Sequence, residues 1–157
     1  MQNFEPINSS SLRSIVAIVA LAFFVTFILA RLIVYLILGH LMPNFFLTVK
    51  GVHIHHFTYG VVILVFVGFF LLVKRLDPNS HLLRWTAFIY GVGLGLTFDE
   101  FGMWIMLQDD YWVRQSYDAV IIIALLFLNI LLFPTIKSLL SKEVKWLWFF
   151  LKRKVDK

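Results

Sequence analysis

The run from Leu12 to Leu41 is broken only by Arg13, Arg31 and scattered small polar groups, and no other feature limits the fold as strongly. At about 1.5 Å per residue, a helix over this run exceeds the roughly 30 Å hydrocarbon core of a bilayer, so it must tilt or protrude. A cleavable leader is not expected, because the stretch is about twice a normal signal core and lacks a small-residue cleavage site.

The rest of the chain repeats this bias. Of 157 residues 61% are hydrophobic and 15% charged, well outside the balance of a water-soluble domain. Seventeen Phe, five Trp and five Tyr supply apolar bulk and interfacial anchors. With no cysteine, disulfides, thiolate metal sites and thioether-linked haem are excluded, and any metal must take His, carboxylate or carbonyl ligands. The net charge of +5 would suggest nucleic acid in a soluble protein. Here the basic residues gather at the ends of apolar runs, so the expected partners are membrane lipids, with an anionic inner leaflet, and no nucleic acid.

Pro43 and Asn44 close the first span, and Phe45 to Val52 forms a connection. A second span runs from about Ile54 to Val73, stopped by Lys74 and Arg75, and Asp77-Pro78-Asn79-Ser80 is a turn by its chemistry. The third covers about Leu82 to Leu107, with Gly91 and Gly95 on one face where helices can approach closely. A polar loop from Gln108 to Asp118 leads into a fourth span from about Ala119 to Ile136, ended by Pro134. Beyond it Leu139, Leu140, Val144, Leu147 and Leu151 recur at three- and four-residue steps among Lys and Trp, as in a helix lying among headgroups. The expected fold is all-α: a four-transmembrane-helix bundle over residues 1–136, then a basic amphipathic interfacial helix or tail over 137–157. Arg13, Lys74, Arg75, Arg84 and the tail cluster fall on one side, against Lys50 and Arg114 on the other. The expected placement is the inner (plasma) membrane with both termini cytoplasmic.

That topology gathers polar residues at the outer face. His53, His55 and His56 stand at the start of the second span, Asp99 and Glu100 in the outer half of the third, Arg31 in the outer part of the first, and Asp118 at the head of the fourth. Ionised groups inside a bilayer cost several kcal/mol unless paired, hydrated or metal-bound, so Arg31, Asp99 and Glu100 must find partners. Asp99 and Glu100 are about 100° apart on a regular helix and cannot aim at one spot unless it bends. One is expected to meet Arg31 and the other the histidines. By helical spacing His53 and His56 share a face while His55 turns away with Tyr59. Two histidines with Asp99 or Glu100, and Asp118, would suit a divalent ion such as zinc, iron or manganese. A metal-free ion-pair network is the competing account. No His-Glu-x-x-His zinc helix and no paired Glu-x-x-His di-iron motif is present.

His53-x-His55-His56 with Gly60, then Thr97-Phe98-Asp99-Glu100-Phe101, Asp110-Tyr111-Trp112 and Ser116-Tyr117-Asp118-Ala119-Val120, resembles a family of small uncharacterised bacterial integral membrane proteins over about residues 50–120. The resemblance implies that these polar groups belong to one site and brings no activity with it. The histidine cluster is also similar to one histidine box of membrane desaturases, whose further boxes are missing here.

Three functions follow as expectations. The first is a metal-dependent hydrolase acting on a lipid-like substrate, with Glu100 as base and Arg31 or Arg114 holding an anionic group. The second is a non-catalytic metal or proton binding and translocation protein. The inner halves of the spans offer few polar groups, which disfavours a monomeric channel and leaves a homo-oligomer open. The third is a small accessory membrane subunit.

Overall fold

The computed structural model describes residues 9–44, 47–50, 52–107, 110 and 112–155; the side chains of 9, 52, 53, 139, 140 and 143–155 lie outside the description. The chain is helical as expected, with α1 at Ser9–Leu38, α2 at His56–Val73, α3 at His81–Asp99, α4 at Phe101–Met106 and α5 at Arg114–Val155. Between α1 and α2, Thr48–Val49 (β1) and Val52–His53 (β2) pair antiparallel, with Thr48 opposite His53. Lys50 takes a positive φ of 51° at the tip, and the Ile54 N–H donates to Leu47 O (2.8 Å), lengthening the pairing.

Among the described residues, three helices are long and apolar enough to cross a membrane by length and composition, over Ser10–Leu38, His56–Val73 and Arg114–Ser138. The expected fourth, α3, falls short of that standard for a physical reason. It lies between α1 and α2, and its Thr86, Ala87, Gly91, Gly93, Gly95, Thr97 and Asp99 are buried. A helix need not be greasy on the faces that other helices cover, and the uncovered face of α3 carries the exposed Trp85, Phe88 and Ile89. A Cβ on Gly91 would sit 2.7 Å from Ala22 Cβ, and one on Gly95 would sit 2.9 Å from Phe23 O, so both glycines set the approach of α1 to α3. Gly93 faces the other way, toward Ile63 and Leu64 of α2. The α2–α3 turn is built as its chemistry predicts: Asp77 Oδ1 accepts the Asn79 N–H (2.7 Å), and the Ser80 hydroxyl caps α3 by accepting from Leu83 N–H (3.1 Å).

Two expectations about helix ends are corrected. The span predicted over Leu82 to Leu107 is broken at Glu100, whose φ of −103° and ψ of 9° lie in the bridge region and separate α3 from α4. Pro134 lies inside α5 and does not end it. A proline costs one backbone hydrogen bond, which local adjustments in an apolar helix can re-satisfy, so the backbone runs on through 137 without a break. The amphipathic face proposed for Leu139, Leu140, Val144, Leu147 and Leu151 lies outside the described side chains.

Candidate functional site

At one end of the bundle the C-terminal half of α1, the N-terminus of α2 and the C-terminus of α3 come together, and each delivers ionisable side chains. From α1, Arg31 is 11% exposed; its Nε donates to Asp99 Oδ1 and its Nη2 to the Asp99 main-chain oxygen. The guanidinium also lies against the rings of Tyr117 (5.0 Å), Phe27 (5.6 Å) and Trp112 (5.9 Å). Phe27 is one helical turn before Arg31, while Trp112 precedes α5 and Tyr117 lies in its first turn, so the cation is boxed from two elements.

Asp99 is fully buried, and its second oxygen, Oδ2, is 2.6 Å from His56 Nε2. Glu100 is 1% exposed. Its Oε2 accepts the Phe57 N–H at 2.8 Å, one of the first-turn donors that α2 cannot satisfy internally. Its Oε1 lies 3.1 Å from His55 Nδ1 and 3.4 Å from His56 Nδ1. All four carboxylate oxygens of the adjacent pair therefore meet nitrogen donors, as buried charge requires. The break at Glu100 makes this achievable. On a continuous helix the two carboxylates would diverge; here both address His56.

Of the residues expected in the site, Arg31, His55, His56, Asp99 and Glu100 converge. Asp99 meets Arg31 and also a histidine, so it has two of the expected partners rather than one. The helical-face argument for the histidines is corrected. His53 belongs to β2 and His55 is the extended cap residue (φ −67°, ψ 143°), so helical spacing begins only at His56, and His55 joins it at Glu100. The His53 side chain is outside the described residues. Asp118 is 51% exposed and pairs at 3.4 Å with Arg114, which is 87% exposed, one turn away on α5. That surface pair gives it a partner other than the histidines. Among the described residues, no group of three or more His, Asp or Glu is placed to hold a metal ion.

No family model, curated protein or solved structure matches this chain. What the site can do must be read from its own geometry.

Beside the cluster lies a pocket of about 370 Å³ lined by His55, Phe57, Thr58, Glu100, Met103, Trp104 and Leu107. Polar groups enter it from the His55 and Glu100 end, and the remainder is largely apolar. Phe57 and Trp104 stack across α2 and α4 at 5.6 Å and 18°. The α4 wall is pinned to α5, because the buried Ser116 hydroxyl accepts the Gly102 N–H at 2.9 Å. Two contributors were not anticipated from sequence, the Phe57 N–H and the Phe27 ring against Arg31, whereas Trp112, Ser116 and Tyr117 stand in the motifs that carry the family resemblance, with no individual role assigned to them there. Only the Phe27 and Arg31 spacing of four was a signal available beforehand.

Proposed function

We propose that this chain is a multi-pass integral membrane protein that hydrolyses a lipid-like amphiphile held in the pocket beside His55 and Glu100. In this reading α3 with α4 makes a fourth crossing, both termini are cytoplasmic, and the site lies at the outer face of the inner (plasma) membrane.

The observation that carries the reading is the buried Glu100 carboxylate, bonded to His55 and to the Phe57 N–H, at the polar end of an otherwise apolar pocket. A carboxylate accepting from Nδ1–H sets His55 in the tautomer with its lone pair on Nε2, which is the form a general base takes, and His55 is assigned that role here for its place at the pocket's polar end. It takes a proton from water as the water oxygen bonds to an ester carbonyl carbon. The same proton then goes to the departing alkoxide as the carbon–oxygen bond breaks. Glu100 stabilises the transient imidazolium, and Arg31 is a positioning residue that holds Asp99, which holds His56. The apolar lining of Phe57, Met103, Trp104 and Leu107 suits an acyl chain.

A second reading, a divalent ion such as zinc, iron or manganese that draws in His55, His56 and Glu100, which do not form a ready-made metal cluster among the described residues, is favoured by one observation. Both Nδ1 atoms approach the same Oε1, at 3.1 and 3.4 Å, near the roughly 3.3 Å between neighbouring ligand atoms around a tetrahedral ion. His56 meanwhile offers its other nitrogen to Asp99, the usual support of a metal-ligating histidine. Bound metal would then activate the water in place of His55.

Purified protein in lipid nanodiscs, assayed with a chromogenic medium-chain ester and analysed for metals, tests both. Turnover lost in His55→Ala and Glu100→Gln without stoichiometric metal supports the first reading; turnover with metal that both variants lose supports the second. Wild type that neither turns over esters nor holds metal overturns both, and favours a translocating or accessory role.

A further inference from the structure

We propose that a second, polar cavity at the opposite end of the bundle binds a phosphate group, as carried by the headgroup of an anionic lipid. The cavity holds about 190 Å³ between the start of α1 and the α2–α3 turn, and Ser10, Ser11, Ser14, Asn79, Arg84 and Ile15 line it. Among the described residues no carboxylate lines it; the nearby Asp77 directs Oδ1 to the Asn79 N–H instead.

The donors are arranged by local structure. Ser10 and Ser11 stand four and three residues before Ser14, so their hydroxyls share one face of α1. Ser11 donates its single hydrogen to Pro78 O (3.0 Å) beside Asn79 Oδ1 (3.3 Å), so it ties α1 to the turn and leaves Ser10 and Ser14 as the hydroxyls facing the cavity. The Asn79 side chain at the cavity's edge brings an NH₂ group, a donor of two hydrogens. Ser80 fixes the start of α3 by its cap, and Arg84 rides on that first turn. A planar guanidinium with hydroxyl and amide donors is a phosphate-binding set. Arg13, on the turn between Ser10 and Ser14, adds a second guanidinium to this end of α1, and its Nε is buried with no hydrogen-bond partner among the described residues. Ile15 and Pro78 add an apolar edge to the cavity, which suits a phosphate attached to acyl chains over a free anion. The inference does not rest on the reading of the His and carboxylate site.

Native mass spectrometry of the full chain in detergent, with phosphatidic acid and with diacylglycerol of the same chains as probes, tests it. Wild type should retain phosphatidic acid over diacylglycerol by about ten-fold, and Arg84→Gln and Ser14→Ala should each lose most of that preference. Lys137→Gln, which removes a charge outside the lining, should keep it. Both lining side chains are exposed, so the variants should fold, and thermal unfolding verifies this. Displacement of phosphatidic acid by excess inorganic phosphate identifies a site for any phosphate anion, and resistance to it identifies a lipid site. Equal retention of the two lipids, wild-type retention in both lining variants, or equal losses in Lys137→Gln and Arg84→Gln would each overturn the proposal.

Discussion

His56 and Asp99 meet at 2.6 Å across the α2–α3 boundary, although 43 residues separate them in the chain. The contact needs the N-terminus of α2 and the C-terminus of α3 at the same membrane depth, and it places an imidazole against a carboxylate already held by Arg31. Arg31, His55 and Glu100 are arranged around that contact.

Arg31 and Asp99 should be strongly unequal to their apolar replacement. Asp99→Asn removes the buried carboxylate charge that Arg31 and His56 share and should destabilise the protein by about 3–5 kcal/mol, whereas the double replacement Arg31→Met with Asp99→Leu should recover part of the loss. Thermal unfolding in a single detergent measures both.

The glycines of the bundle should not behave alike. Gly91→Ala and Gly95→Ala push a methyl group into α1, with Ala22 Cβ and Thr26 Cβ each 2.7 Å from the new atom; each should cost about 1–3 kcal/mol. Gly68→Ala meets nothing within 4 Å, and its unfolding temperature should match wild type.

Ser116 should be needed for the pocket wall. Ser116→Ala strips the Gly102 N–H of its acceptor in a buried position, at a cost of about 1–3 kcal/mol. Hydrogen exchange should accelerate at α4 while the α1–α3 interface stays protected. Unchanged protection at α4 would show that this bond does not hold the wall.

Asp118 separates the expectation from sequence from the observed geometry. Its pair with Arg114 is exposed on both sides, and such pairs contribute little. Asp118→Asn should leave stability, ester turnover and any metal content unchanged, where a ligand in the site would not.

The apolar runs and the unpaired charges made much of this readable from sequence, because lipid penalises a lone Arg or Asp and so forces Arg31 and Asp99 to find partners. The break at Glu100 was not readable, since no proline or glycine stands there. Its cause is tertiary: the carboxylate turns out of the helix toward the Phe57 N–H and the two histidines. His55 was misjudged because helical spacing was carried back to His53, three residues before the true start of α2 at His56. Pro134 shows the reverse error, a local rule applied where an apolar helix tolerates the defect. The glycine and threonine content that lowers the hydropathy of α3 marks its place inside the bundle, and it reads that way only once α1 and α2 are seen on either side.

The central claim is that side chains from three helices share one site, and a double-mutant cycle between His56 and Asp99 tests it most directly. With His56→Ala, Asp99→Ala and the double variant unfolded in the same detergent, contact predicts a coupling energy above about 1 kcal/mol. Strictly additive losses would mean that the imidazole and the carboxylate do not meet, and would contradict the account.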